Sequence, residues 1–129
     1  MIHKKIAMGL MKETYAVCRL PAAERIPEWA VGSRFFSVTK TPEELSVVCE
    51  EDRVPENIKC EKGWRILKVE GPLDFSLIGI LASISTTLAK KEISLFAVST
   101  YDTDYILVKD KDSEASIKAL VEEGYEVRL

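Results

Sequence analysis

Histidine is nearly absent from this 129-residue chain, His3 being the one copy. A residue three positions from a terminus is seldom held in place, so the folded body is expected to lack the commonest general base. Other catalytic signatures are missing too: there is no GxxxxGK[ST] phosphate loop, no GxSxG elbow and no HExxH pair. A cysteine nucleophile without a positioned histidine is a poor one, and no enzymatic role and no cofactor are expected. Charge of one sign is not in excess either. With 18 basic and 21 acidic residues the net charge is -3, which gives no footprint for a polyanion and argues against nucleic acid as a partner. No stretch approaches the roughly 18 uncharged apolar residues of a membrane span. The apolar segment at 6–11 is too short for an export signal and lacks a cleavage site, so the expectation is a cytoplasmic protein with no membrane partner.

Cysteine is sparse. Cys18, Cys49 and Cys60 are odd in number, and their spacing fits neither a disulfide framework nor a zinc ribbon. Cys18 and Cys49 fall inside apolar strands and read as small core residues. Cys60 falls in a charged segment and reads as an exposed, oxidisable thiol. The acidic run Glu50, Glu51, Asp52 and the pair Glu122, Glu123 read as solvated surface, and no metal-ligand spacing occurs. Aromatic residues make up 8% and hydrophobic residues 47% of the chain, as in a globular domain. The length suits one ordinary domain or two very small ones sharing a core.

What the chain does contain is an ordered run of elements in its second half. Residues 64–69 read as a strand ending before Gly71 and Pro72. A short loop, Leu73, Asp74, Phe75 and Ser76, leads into an apolar run from Leu77 to Lys91. There Leu77, Ile80, Leu81, Ile84 and Leu88 share one helical stripe. Two β-branched and aromatic runs follow, at 93–99 and 105–108. Between them, residues 100–104 carry Thr and Asp side chains that fold a turn by bonding local backbone. A helix from Asp112 to about Glu123, with Ile117, Leu120 and Val121 inward, ends at Gly124 before a last strand at 125–129. The order is β-α-β-β-α-β.

That order, with a glycine-containing loop before its first helix, resembles the ACT domain, a ligand-binding module of the ferredoxin-like class. The strings GPLDFSLIGILASIS, ISLFAVSTYDTDYILV, YAVCRL and TPEELSVVC extend the resemblance over nearly the whole chain. They are similar to small bacterial proteins of two ACT-like units and to the CASTOR-type arginine sensors of animal cells. The resemblance implies an α+β fold of two ACT-like units in tandem, with antiparallel sheets and helices on one face. The units are expected at 1–63 and 64–129.

The first half reads as a worn copy of the second. Residues 5–10 alternate as an extra first strand. Tyr15–Leu20 forms a strand stopped by Pro21, and residues 22–32, broken by Pro27, allow a turn or two of helix around Glu28, Trp29 and Ala30. Strands at 35–39 and 45–49 flank a turn at 40–43 containing Thr41 and Pro42. Residues 50–61, with Pro55, read as a loop with a short helical piece. In this repeat 15–20 corresponds to 66–69, 35–39 to 95–99, and 45–49 to 105–108. The first helix of the first unit is too short to cover a four-stranded sheet. Its apolar surface is expected to be closed by the other half, the extra strand or a second chain, and a homodimer is a natural outcome.

A ligand site is expected where the first helix of the second unit begins. A helix start presents unpaired N–H groups and the positive end of the dipole, which attract a carboxylate. Gly79 leaves that approach open, with Phe75, Leu77 and Ile80 beside it. Asp74 and Ser76 read either as helix caps or as acceptors for a ligand's donors. Ser99, Thr100, Thr103 and Asp104 make a second wall, or plain turn chemistry, and Asp104 can meet a cationic group. The resemblance implies an amino acid bound between ACT-like units, with Thr103 and Asp104 matching the acidic segment of the arginine sensors. Those sensors hold four such units, so a comparable interface requires two copies of this chain. The alternative is a protein-interaction module that pairs through a sheet edge or helix face without a ligand.

Overall fold

The computed structural model describes residues 6–71 and 79–129. The strand–helix order follows the switch of apolar period along the chain, from two to about three and a half. Its elements are β1 (Ala7–Leu10), β2 (Tyr15–Leu20), α1 (Glu28–Val31), β3 (Ser37–Lys40), β4 (Leu45–Glu50), β5 (Lys59–Val69), α2 (Ile80–Ala89), β6 (Leu95–Ser99), β7 (Asp104–Lys109), α3 (Ser113–Glu122) and β8 (Glu126–Arg128). Short 3-10 turns, Glu51–Arg53 and Asp110–Asp112, precede β5 and α3. Contacts divide the chain into two units, one of residues 13–64 and one of the N-terminal strand with residues 65–129.

In the unit of residues 13–64 the strand order is β3-β4-β2-β5, with all pairs antiparallel. Tyr15 pairs with Glu50 and Leu20 with Leu45, a register that puts Ala16, Cys18 and Leu20 on the same face as Leu45, Val47 and Cys49. These residues form a core with Ala30 of α1 and Val54, and Trp29 packs against it. The segment between β4 and β5 supplies only a 3-10 turn where the other unit has a full helix. Ser33, largely buried, ties the turn after α1 to β4: its hydroxyl donates to the Phe35 carbonyl at 2.7 Å and accepts from the Glu50 amide at 2.9 Å. A bulge interrupts the β2–β5 pairing between Tyr15 and Val17, opposite Lys62 and Gly63. Gly63 has φ +84, the left-handed conformation such a bulge needs and one that side chains resist.

Residues 59–61 were expected in a loop and the strand from residue 64, yet β5 begins at Lys59 and its first residues close this unit as its fourth strand. The apolar pattern is weak there because, within the unit, this stretch has β2 as its neighbour and carries exposed Lys59, Glu61 and Lys62. Cys60 consequently lies in a strand, half-buried, directly opposite Cys18.

In the other unit the order is β6-β7-β5-β1-β8. Removing β1 leaves the ferredoxin-like arrangement. β1 pairs antiparallel with β5, Met8 against Val69, and parallel with β8, Met8 against Val127. The N-terminal strand, expected to serve the first unit, therefore completes the second. Helices α2 and α3 pack together on the sheet, enclosing Met8, Leu67, Val69, Ile84, Leu88, Ile106, Val108 and Leu120. Burial on this scale is the main source of the unit's stability, each such side chain contributing about 1.5–3 kcal/mol. Ile80, Leu81 and Ile117 pack at the margin as their spacing predicts. Val121 does not: it is 51% exposed, because the inward stripe of α3 runs through Ser116, Ala119 and Leu120 instead. The small Ser116 fits there by donating its hydroxyl to the Asp112 carbonyl at 2.8 Å. Gly124, at φ +109, ends α3 as expected.

The repeat is visible in both orders: β2, β3 and β4 hold the places in their unit that β5, β6 and β7 hold in theirs. The fold is α+β, two ferredoxin-like units in tandem, with the first reduced in its helices.

Candidate functional site

The turn between β6 and β7 is built from its own sequence. The Thr100 amide donates to the Thr103 carbonyl at 2.8 Å, the Thr100 hydroxyl donates to the same oxygen at 3.1 Å, and the Thr103 amide donates to that hydroxyl at 3.3 Å. A four-residue turn closed three times over fixes the strands at its two ends. Ser99 and Asp104 are cross-strand partners, and the Ser99 hydroxyl donates to the Asp104 carboxylate at 2.5 Å. Asp104 remains partly open to solvent.

Thr103 faces inward. It is 5% exposed, and its hydroxyl donates to the carbonyl of Val69 at 2.6 Å. That bond anchors the turn to the end of β5, the point from which the chain leaves toward α2. From the sequence alone, Thr103 pairs with Asp104 as an expected ligand contact. The geometry gives the first a positioning bond and the second an open carboxylate. No sequence signal marks Val69, since a backbone carbonyl belongs to every residue.

At the start of α2, Gly79 is the N-cap, with φ +86 and ψ +3. The helix was expected to begin near Ser76, but the left-handed backbone at 79 breaks helical geometry and the first helical residue is Ile80. Glycine provides no capping side chain, and a Cβ placed there would meet nothing within 4 Å among the described residues. Packing thus does not explain Gly79, whereas its backbone conformation does. Asp74, Phe75, Ser76 and Leu77 lie outside the described residues. One turn into α2, the Ser83 hydroxyl accepts from the Tyr125 phenol at 2.7 Å, joining the helix to the residue before β8. Burial pushes the Tyr125 phenol up.

The geometry thus offers a helix start with no side-chain cap among the described residues and a turn on which the Asp104 carboxylate is partly exposed, both in the unit that contains α2 and α3. Among the described residues no group of three or more His, Cys, Asp or Glu is arranged to hold a metal ion. No helix is long and apolar enough to cross a membrane, again among the described residues.

The ACT-domain family model matches residues 59–122, the segment that carries both features, and a separate model described as an N-terminal domain matches residues 13–57. The chain is 31% identical over 101 residues to the cytosolic arginine sensor for mTORC1 subunit 1 of Bos taurus. That match spans 70% of this chain and 31% of the relative. A crystal structure of a protein from Agrobacterium tumefaciens superimposes with a TM-score of 0.90 at 37% identity, covering 95% of this chain and 92% of that one. The chain belongs to the ACT-domain family.

As an ACT protein it shares its fold with the regulatory subunit of aspartate kinase from Thermus thermophilus, at a TM-score of 0.61 and 8% identity, covering 88% of this chain and 96% of that one. The chain spans about a third of the length of the curated arginine sensors it matches. The ACT match begins at residue 59, the first residue of β5.

Proposed function

We propose that this ACT protein is a non-catalytic regulatory module that binds an amino acid at the start of α2, acting as a cytoplasmic homodimer. The observation that carries this reading is the Gly79 start of α2, which has no side chain of its own to satisfy the first-turn amides. A ligand carboxylate there would accept their hydrogen bonds at the positive end of the helix dipole. Asp104 is the acceptor for an ammonium or other cationic group, held in orientation by the Ser99 hydroxyl. Similarity to an arginine sensor supports the amino-acid class. The loop residues Asp74, Phe75, Ser76 and Leu77 complete the proposed site, together with Ile80 and Thr100. A second copy of the chain would close it, and ligand would regulate by preferring one assembly state over another.

A thermal-shift screen against the twenty amino acids, followed by calorimetry and by light scattering with and without the hit, tests this. A ligand specific for the native state raises the melting temperature as its concentration rises. A flat screen at millimolar concentrations from a folded dimer would instead support the second reading, a ligand-free protein-interaction module.

A further inference from the structure

The sequence scatters three cysteines across the chain, and the fold gathers them. Cys18 on β2 and Cys60 on β5 are registered antiparallel partners, and Cys49 lies on β4, on the other side of β2, opposite Ala16. All three side chains share the face that packs under α1. None of the three is in a disulfide, and the trio is not arranged as a metal site.

We propose that Cys18 and Cys60 are a site of reversible oxidative modification, closing as a cross-strand disulfide on reaction with a low-molecular-weight disulfide. Directly opposed antiparallel residues have Cα atoms about 4.5–5.5 Å apart. A disulfide accepts Cα separations of about 4.4–6.8 Å, so closure requires little movement of backbone. Cys60 is the entry point, being the half-buried member while Cys18 is 2% exposed. The Cys60 thiolate attacks one sulfur of the reagent; the reagent S–S bond breaks and one small thiolate leaves, taking up a proton. Cys18 then loses its proton to solvent and its sulfur attacks Cys60 Sγ, expelling the second small thiol. Two protein thiols have been oxidised and one reagent disulfide reduced to two thiols.

Burial pushes the Cys60 thiol up, and hydrogen bonding to Cys49 followed by burial pushes Cys18 up, so thiolate is scarce at neutral pH. The reaction is therefore slow at pH 7 and accelerates toward pH 9. The product staples β2 to residues 59–64 of β5 around the whole intervening segment, which contains α1, β3 and β4.

The test treats the full chain with oxidised glutathione at pH 7 and pH 8.5, then reads intact mass, peptide linkage and melting temperature. The expected result is loss of two hydrogens, a Cys18–Cys60 linkage, a melting temperature raised by roughly 5–15 °C, and full reversal by dithiothreitol. Cys49→Ala should form the same Cys18–Cys60 linkage and form it faster, whereas Cys18→Ser should stop at a glutathione adduct on Cys60. Linkage of Cys18 to Cys49 alone, a stable adduct on Cys60 in the parent, or folded protein inert at both pH values would each overturn the proposal. Circular dichroism of each variant separates a failure to react from a failure to fold.

Discussion

Thr103 and Val69 stand 34 positions apart and share a 2.6 Å hydrogen bond from a buried hydroxyl to a backbone carbonyl. Through it the β6–β7 turn, which carries Asp104, is fixed to the end of β5. Thr103→Val keeps the shape and deletes the donor, leaving the carbonyl without it. The expected cost is about 1–3 kcal/mol in urea denaturation. Thr103→Ser, which keeps the hydroxyl, should lose less. Equal stability of Val and parent would show that the tether contributes nothing.

Gly79 begins α2 with φ +86. Gly79→Ala forces a Cβ into the left-handed region at about 1–2 kcal/mol, while Gly79→Asn should be milder. Since an added Cβ meets nothing described within 4 Å, this is a backbone effect and not a clash. A change in helix content out of proportion to the loss in stability would point to a packing role instead.

Asp104 is the acidic group of the proposed site. Asp104→Asn keeps the shape and a bond to Ser99 but removes the charge. For a cationic ligand identified in the screen, calorimetry should show a loss of about 1–2 kcal/mol, between the values for an exposed and a desolvated pair. Unchanged affinity removes Asp104 from the site.

Leu120 and Val121 are neighbours with opposite fates, the first fully buried and the second 51% exposed. Leu120→Ala should cost about 2–5 kcal/mol by opening a cavity. Val121→Ala should fall within about 0.5 kcal/mol of the parent. A large loss at Val121 in a monomeric sample would contradict the inward stripe assigned to α3.

Alkaline pH should destabilise the protein. Tyr15 is fully buried, and desolvation, then the charges of Glu13 and Glu50, push its phenol well above the usual range; burial raises Tyr125 as well. A group whose folded pKa is raised holds its proton more tightly in the native state. Its contribution is therefore complete below the unfolded pKa of about 10 and is lost as pH rises beyond it. The Cys60 thiol, raised by burial, acts with the same sign from somewhat lower pH. Tyr15→Phe should flatten the decline in melting temperature above pH 10, and an unaltered slope would rule out this origin.

Much was legible in the chain itself. An apolar run stopped by Pro21 placed β2 at Tyr15–Leu20 to the residue, and the 3.6-residue stripe located α2 and α3. Gly124, with φ +109, ends α3 where a left-handed residue is needed. These are local properties, set by side-chain spacing and backbone sterics within a few residues. The β-α-β-β-α-β order and the string STYDTDYILV carried the family.

Tertiary structure alone decided the rest. The insertion of β1 between β5 and β8 depends on hydrogen bonds to strands nearly sixty and more than a hundred residues away, for which alternation has no code. The polar stretch that begins β5 became a strand because β2 offered it a partner. Thr103 turned inward because Val69 supplied an acceptor, and three unremarkable cysteines became neighbours through the register of β2 with β4 and β5. Local spacing determines which element a residue enters; pairing between distant strands determines what its side chain meets.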